Sequence, residues 1–258
     1  MTSRSGHMAI TGASSGIGEG LARHFAAKGW RITLVARRKA LMDAIAGELP
    51  TDSVVAATDL ADLESCGDWI AEAERRLGPV DVFVNNAGAQ FVEPALEVDD
   101  ARAQWLFRLN VLAPMKLGRR FGLAMAERGA GALVNIASVA ALQPTPHMAH
   151  YGGTKAALAS WSEVLRTELV SRGVHVLTVY PGPVKTPLEA AARERVATSP
   201  LVGAMPVGTT AGLARAVESS LRRRAARLVY PGFYRTTRWF PAFSQWVSEQ
   251  AAPPLRKR

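Results

Sequence analysis

The chain has 258 residues, a formal net charge of +9 and a single cysteine, which suits one large α/β domain and excludes an intrachain disulfide scaffold. No apolar run reaches the roughly 20 residues that span a bilayer, and no linker, repeat or export signal is evident. The sequence therefore predicts one cytoplasmic α/β domain over residues 1–231, followed by a tail at residues 232–258.

The first predicted element is a short buried strand at residues 8–11, which leads into a glycine-rich turn and a helix ending near residue 28. The turn reads Thr11-Gly12-Ala13-Ser14-Ser15-Gly16-Ile17-Gly18. A helix N-terminus that follows such a turn presents backbone amides to an anion, and glycine lets the backbone approach it closely. A plain tight turn is the alternative, but the strand before and the helix after favour phosphate binding.

The second predicted strand, Arg31–Ala36, is followed by Arg37, Arg38 and Lys39. An NAD site would carry an acidic residue here to bind the ribose 2′-hydroxyl. Cations at this position favour an additional 2′-phosphate instead, so the sequence predicts NADP(H) over NAD(H). The alternative is a solvated basic helix start.

The remaining pattern alternates strands and helices. Further strands are predicted at about residues 53–58, 80–84, 131–137, 174–180 and 227–230, and further helices at about 39–49, 62–77, 99–127, 147–171 and 209–223. This alternation indicates a mostly parallel, seven-stranded sheet with helices on both faces, a doubly wound Rossmann fold whose ligands bind beyond the carboxyl ends of the strands. Residues 186–206 are predicted to form a lid. Cys66, on the predicted helix at 62–77, is interpreted as a packed thiol.

Polar residues that could take part in catalysis follow the fifth strand. Ser138 ends that strand, and Tyr151 and Lys155 lie one turn apart on one face of the next helix. A phenol ionises near pH ~10 and becomes a useful acid or base when a cation stabilises the phenolate. A Tyr/Lys pair alone is more often a solvated helix face. Asn110, inside the long predicted helix, is either solvated or faces inward, where its amide needs partners.

These motifs together resemble the short-chain dehydrogenase/reductase family, in its compact one-domain form. The resemblance spans about residues 8–231. It depends on six motifs in order: Thr11–Gly18, Asn85-Asn86-Ala87-Gly88, Asn110, Ser138, Tyr151-x-x-x-Lys155 and Pro181-Gly182.

The resemblance implies a role for each matching residue. Tyr151 is implied as general acid and base, Lys155 as the group that lowers the pKa of the tyrosine, Ser138 as a hydrogen-bond donor to the substrate oxygen, and Asn110 as the holder of a relay water. The cofactor-binding residues implied are Gly12, Ser14, Ser15, Gly16, Ile17, Gly18, Arg37, Arg38, Asp59, Leu60, Asn86, Ala87, Gly88, Tyr151, Lys155, Pro181, Gly182, Val184 and Thr186. No metal is expected.

The sequence thus favours an NADP(H)-dependent oxidoreductase that acts on a carbonyl or secondary alcohol. Apolar lid residues make an apolar substrate the first expectation: Leu188, Val196, Leu201, Val202 and Met205. His147 and His150 near the tyrosine are either loop polar residues or, for His147, part of the pocket. A non-catalytic NADP(H)-binding regulator is the alternative function. The family resemblance also implies a homodimer or homotetramer packed through the helices that begin near Asp99 and His147.

The tail combines aromatic and basic residues. The last 44 residues, which include this tail, contain ten cations and two acids, a net charge of +8. The aromatic residues of the tail are Phe233, Tyr234, Trp239, Phe240, Phe243 and Trp246. A subunit contact, a cover over the pocket and peripheral membrane association remain open, whereas the clustered, bulky aromatics argue against nucleic acid.

Overall fold

The computed structural model describes residues 6–196, 205–240, 242, 245, 246 and 255. Within these residues the strands are β1 (His7–Thr11), β2 (Arg31–Ala36), β3 (Ser53–Ala57), β4 (Val82–Asn85), β5 (Gly131–Ile136), β6 (Val174–Pro181) and β7 (Arg227–Tyr230). The α-helices are α1 (Gly16–Ala26), α2 (Lys39–Glu48), α3 (Trp69–Leu77), α4 (Asp100–Phe107), α5 (Ala113–Arg128), α6 (Ala149–Leu169), α7 (Pro187–Arg195), α8 (Thr210–Arg222) and α9 (Thr236–Trp239).

The strands form one sheet in the order β3-β2-β1-β4-β5-β6-β7, and every neighbouring pair is parallel. One apolar core joins α1, α2 and α8 to one face of the sheet. A second core, which includes residues of α3, α5 and α6, covers the other face. Because both faces are covered, the strands read as nearly continuous apolar runs. The predicted doubly wound Rossmann fold is confirmed, and the strand order reverses between β1 and β4, where such folds bind ligands.

The helix predicted at residues 62–77 begins only at Trp69. Asp62 explains the difference, because its carboxylate accepts hydrogen bonds from the backbone N–H of Glu64 and the hydroxyl of Ser65. These local bonds offer the backbone an alternative to helix, and Gly67 adds a poor helix former. Cys66 therefore lies in a turn and not on a helix, although its thiol is buried as predicted.

The long helix predicted at residues 99–127 is interrupted by a π-helical turn, Arg108–Leu112, between α4 and α5. Pro114 supplies the cause. A helical proline has no N–H to donate to the carbonyl four residues earlier, and its ring clashes with that carbonyl, here the one of Asn110. The wider turn relieves the clash. It places the fully buried Asn110 at the interruption.

The predicted lid is partly described. Its first half is α7, which is capped at its N-terminus by Thr186. Residues 197–204, and with them Leu201 and Val202, lie outside the described residues, as does Phe243 of the tail. No helix among the described residues is long and apolar enough to cross a bilayer.

The start of the tail packs against the domain. The ring of Tyr234 lies against Gly182, where an added Cβ would stand 2.7 Å from it. The hydroxyl of Tyr234 donates to the carbonyl of Pro206 at 3.2 Å, and Thr237 is buried. Further along, Trp239 and Phe240 are exposed. The domain limit at residue 231 stays a prediction, since two residues beyond it are packed on the fold.

Candidate active site

A cavity of about 640 Å³ opens at the carboxyl ends of the strands. It brings together most of the residues singled out in the sequence. Those that line it are Gly12, Ser14, Ser15, Gly16, Ile17, Arg37, Arg38, Asp59, Leu60, Asn86, Ala87, Gly88, Ser138, Tyr151, Lys155, Pro181, Gly182, Val184 and Thr186. Gly18 and Asn110 are not part of the lining.

The glycine turn forms one wall of the cavity. Gly12 and Gly16 have φ angles of 67° and 63°, in the left-handed region that side chains rarely adopt. An added Cβ on Gly18 would stand 2.4 Å from the carbonyl oxygen of Gly12. Gly18 therefore allows α1 to pack closely on the turn, and its contact with a cofactor stays a prediction.

The N-terminus of α1 faces this wall with its amides uncapped by a side chain, since Ser15 forms no capping hydrogen bond. The guanidinium of Arg38 reaches across from the end of β2. It donates to the hydroxyl of Ser14 at 2.8 Å and to that of Ser15 at 2.7 Å. A cation is thus fixed at the glycine turn, beside a helix N-terminus that favours anions. These donors fit the phosphates of a dinucleotide.

The turn after β4 forms the adjoining wall. The hydroxyl of Thr11 accepts from the backbone N–H groups of Asn86 and Ala87 at 2.9 and 3.0 Å. The amide of Asn86 donates to the carbonyl of Thr11 at 2.8 Å. These bonds tie the two turns that follow β1 and β4 into one rigid cleft.

Ser138 and Tyr151 meet at the opposite side of the cleft. Tyr151 is 8% exposed, and its side chain hydrogen-bonds with that of Ser138. Ser138 also accepts from the backbone N–H of Ala140 at 3.1 Å, which fixes its hydroxyl. Burial raises the pKa of Tyr151, the bond from Ser138 lowers it, and the charge of Glu189 raises it further. The net upward direction is opposite to the lowering expected from Lys155.

Lys155 lies one turn beyond the tyrosine, with its Nζ 5.9 Å from the centre of the Tyr151 ring. The ammonium donates to the carbonyl of Ile136 at 2.9 Å. Burial lowers the pKa of Lys155 to about 8. An added Cβ on Gly88 would stand 3.3 Å from this Nζ, so glycine keeps the space beside the ammonium open.

Asn110 lies behind Lys155. Its amide exchanges hydrogen bonds with the backbone of Ala89, at 3.0 and 2.9 Å, and donates to the hydroxyl of Thr154 at 3.0 Å. The side chain is therefore occupied in holding the turn after β4 to α6. The backbone carbonyl of Asn110 lies in the π turn, four residues before Pro114.

Glu189, in the first turn of α7, lines the same cavity and was missed in the sequence. Thr186 accepts from the backbone N–H of Glu189 at 3.1 Å. The Thr186-x-x-Glu189 spacing matches a capping box, which is the sequence signal for a helix start here. The carboxylate pairs instead with Arg193, at 2.7 Å. The sequence predicts a lid over this segment, but it does not indicate that Glu189 would line the cavity.

Other lining residues of the cavity also carry no motif. They are Ala36, Thr58, Gln90, Leu109, Ile136, Ala137, Val139, Ala140, Thr145, Met148, Pro183, Pro187, Leu188 and Ala191. His147 is not among them. Apart from Leu188, which was named in the predicted lid, these residues come from segments distant in sequence, so local patterns could not have found them.

The fold and the cleft define a dinucleotide-binding protein of the doubly wound class with a Ser/Tyr/Lys site. The family profile described as short chain dehydrogenase matches residues 6–197. The chain belongs to this family, whose members are oxidoreductases that bind nicotinamide cofactors and act on small molecules.

Individual relatives differ in substrate and cofactor. A galactitol 2-dehydrogenase (L-tagatose-forming) of Cereibacter sphaeroides is 40% identical over 192 residues, 72% of this chain and 74% of the relative. A short-chain dehydrogenase of Sphingobium yanoikuyae in complex with NADPH superposes with a TM-score of 0.77 at 28% identity, covering 95% of each chain. A 3-ketoacyl-(acyl-carrier-protein) reductase of Brucella melitensis complexed with NADH gives 0.79 at 27% identity, covering 89% of this chain and 98% of that chain.

Proposed function

We propose that the protein is an NADP(H)-dependent oxidoreductase that interconverts a carbonyl group and a secondary alcohol. The observation that carries the proposal is the meeting of Tyr151, Ser138 and Lys155 at one end of the cavity, with Arg38 fixed at the other. A bound nicotinamide would supply or accept the hydride. The chain's own residues would manage the proton and the charge on the substrate oxygen.

Tyr151 is the proposed general acid in reduction and general base in oxidation. In reduction its phenol donates a proton to the substrate oxygen as that oxygen gains charge. Ser138 lies beside the tyrosine, and its single hydroxyl hydrogen would turn to donate to the same substrate oxygen. Lys155 supports the resulting phenolate electrostatically, because its ammonium is held by Ile136 on the same side of the cleft.

A proton must then return to Tyr151 from solvent. We propose that a water beside Lys155 relays it, held by the backbone carbonyl of Asn110. The side-chain amide of Asn110 is already hydrogen-bonded, so its backbone carbonyl would be the acceptor for this water. Gly88 keeps the neighbouring space open. Asn110 thus contributes through its position in the π turn.

The preference for NADP(H) follows from the end of β2. Arg38 is held at Ser14 and Ser15, and Arg37 is exposed beside it, so two cations could bind a 2′-phosphate. The N-terminus of α1 and the glycine turn would bind the pyrophosphate. Asp59 and Leu60 would flank the adenine, Asn86, Ala87 and Gly88 would line the channel, and Pro181, Gly182, Val184 and Thr186 would contact the nicotinamide end.

The substrate is proposed to have an apolar body. Val139, Met148 and Leu188 contribute apolar surface to the substrate end of the cavity. The relatives include a galactitol 2-dehydrogenase and a 3-ketoacyl-(acyl-carrier-protein) reductase, and these names are too different to select one substrate.

A homodimer or homotetramer is proposed from exposed apolar side chains on the helices expected to pack between subunits. Leu112 and Leu123 are exposed beside and on α5, and Val164 is exposed on α6. Light scattering after size exclusion checks this proposal. Leu123→Arg combined with Val164→Arg is expected to shift the mass towards a monomer, and an unchanged mass would contradict it.

A cytoplasmic location with peripheral membrane contact through the tail is the corresponding proposal for the C-terminus. Trp239, Phe240 and Trp246 are exposed, and Arg235 accompanies them. Aromatic residues enter the headgroup region while cations meet anionic lipid. Sedimentation with anionic vesicles compares the protein with a Trp239→Ser, Phe240→Ser variant, and equal pelleting would remove the proposal.

A carbonyl and alcohol panel, followed at the NADPH absorbance with NADH in parallel, tests the central proposal. We expect turnover of at least one secondary alcohol or ketone and a higher kcat/KM with NADP(H). A clear preference for NADH would overturn the cofactor assignment made from Arg37 and Arg38. Tight NADP(H) binding without turnover of any substrate would favour a regulator instead.

A further inference from the structure

The first turn of α7 brings one acidic side chain into the substrate end of the cleft. Glu189 lines the cavity together with Ser138 and Tyr151. Its backbone position is fixed, because the hydroxyl of Thr186 accepts its N–H as the N-terminal cap of α7. The backbone that carries this carboxylate therefore has a fixed place on the wall of the cavity.

Glu189 faces the reacting region from across the cleft. Its charge raises the pKa of Tyr151, on α6, and that of Tyr234, beside Gly182, so both tyrosines lie within reach of the carboxylate. The space between Glu189 and Tyr151 is the space that a substrate would fill.

One oxygen of this carboxylate has no donor among the described residues. Oε1 accepts a hydrogen bond from Nε of Arg193 at 2.7 Å, whereas none of the described residues donates to Oε2. The side chain is 23% exposed, so the carboxylate is partly withdrawn from bulk water. A partly buried carboxylate oxygen gains from a hydrogen-bond donor.

On the basis of the proposed function, we propose that Glu189 accepts a hydrogen bond from a second hydroxyl group of the substrate. The substrate class is then a hydroxylated secondary alcohol, such as a diol, or the matching hydroxyketone. Ser138 and Tyr151 bind the reacting oxygen, and Glu189 binds the second oxygen from the other side. The enzyme would select both the class and the spacing of the two groups.

A neutral donor fits this site better than a charged one. Arg193 already balances the charge of Glu189, so an ammonium group would find little uncompensated negative charge. An anionic group would be repelled by the carboxylate. The nearby Met148 and Leu188 provide apolar contact for a carbon skeleton. An alcohol with a second hydroxyl therefore meets both the polar and the apolar part of the wall.

The test compares matched substrates with wild-type protein and a Glu189→Leu variant. The probes are hexan-2-ol and the 2,3-, 2,4- and 2,5-hexanediols, with the matching amino alcohols as a separate arm. We expect wild type to prefer one diol over hexan-2-ol by about 10- to 100-fold in kcat/KM, the range for one hydrogen bond to a charged group. The Glu189→Leu variant should reduce that preference to below about threefold, and the ratio of the two kcat/KM values is the readout, because a change at Tyr151 affects both substrates alike.

Glu194→Gln is the matched control. Glu194 is exposed on the same helix, and its substitution removes the same charge from that helix. It should keep the diol preference. Equal losses with both classes of substrate, a diol preference unchanged by Glu189→Leu, or a stronger preference for amino alcohols would each overturn the inference. Failure of the proposed function looks different, because no alcohol would then be turned over by any of the proteins.

Discussion

The two ends of the parallel sheet each bury a basic side chain, with different results. At the carboxyl end, burial lowers the pKa of Lys155 to about 8. At the amino end, burial and the charges of Arg224 and Arg166 lower the pKa of His175 to about 4. At pH 7 the lysine therefore keeps its proton, whereas the histidine is neutral.

The ordinary pKa values account for the difference, because burial lowers both by a similar amount, from 10.5 for the lysine and from 6.5 for the histidine. Lys155 donates to the carbonyl of Ile136 and lies in a polar cleft, but His175 is surrounded by like charges. Within the described part of the chain, the buried side-chain atoms that lack a hydrogen-bond partner are Nε of Arg166 and Nε2 of His175. Both belong to the amino end. We expect the carboxyl end to serve the proposed chemistry and the amino end to serve packing.

The largest expected effect comes from removing the hydroxyl oxygen of Tyr151, at the carboxyl end of the sheet. Tyr151→Phe should lower kcat about 10²- to 10⁴-fold, the usual contribution of a general acid or base. NADPH affinity should remain within a few-fold, because the phenol is not a phosphate ligand. Steady-state kinetics and fluorescence titration measure the two quantities.

Tyr180→Phe is the matched control for this substitution. Tyr180 is also a buried tyrosine, and its hydroxyl donates to Glu163 outside the cleft. Its loss should cost about 1 kcal/mol of stability and leave kcat within twofold. Similar turnover of the two variants would remove the distinction between chemical and structural tyrosines.

The next largest effect tests which cofactor the cleft prefers. Arg38→Ala should raise the KM for NADPH about 10- to 100-fold, as expected for the loss of a charge-assisted contact to phosphate, and change the KM for NADH little. Arg76→Ala, which removes an exposed cation from α3, should change neither. If Arg38→Ala raised the KM for both cofactors equally, Arg38 would not bind the 2′-phosphate.

Sequence patterns predicted the carboxyl end well where the information is local. The strand, glycine turn and helix at Thr11–Gly18 follow one another directly, and the basic end of β2 is adjacent in sequence. Tyr151 and Lys155 share a helix face because their spacing dictates it. The strands were predictable because burial on both faces makes each one an apolar run.

The remaining features depend on competition or distance. The local bonds of Asp62 delay α3, and Pro114 converts part of a predicted α-helix into a π turn. Either signal is visible in the sequence but opposes a strong helical pattern. The approach of Glu189 to Tyr151 depends on how α7 folds back, and the upward shift in the pKa of Tyr151 depends on burial. Neither could be derived before the fold was known.

The amino end is tested through pH. His175 has an ordinary pKa of 6.5 when unfolded and about 4 when folded, so the unfolded chain binds more protons between these values. Stability should therefore fall as the pH decreases from 6.5 to 4, by on the order of 2 kcal/mol. Denaturant unfolding of His175→Gln should lack this part of the loss, with pH 7.5 as the reference. An equal acid sensitivity of both proteins would contradict the assignment.

The smallest effect tests whether α7 belongs to the chemical end. The charge of Glu189 raises the pKa of Tyr151, after burial and against the bond from Ser138, so Glu189→Gln should lower that pKa. The phenolate needed for alcohol oxidation would then form at lower pH, and the acid limb of the kcat/KM profile should move downward. Hexan-2-ol is the suitable substrate, because it has no second hydroxyl for Glu189 to bind. Glu194→Gln should leave the profile in place, since its carboxylate is exposed to solvent and its field is screened. A limb that stays fixed in Glu189→Gln, or moves upward, would mean that the carboxylate does not act on the tyrosine, and α7 would then be only a cover over the cleft.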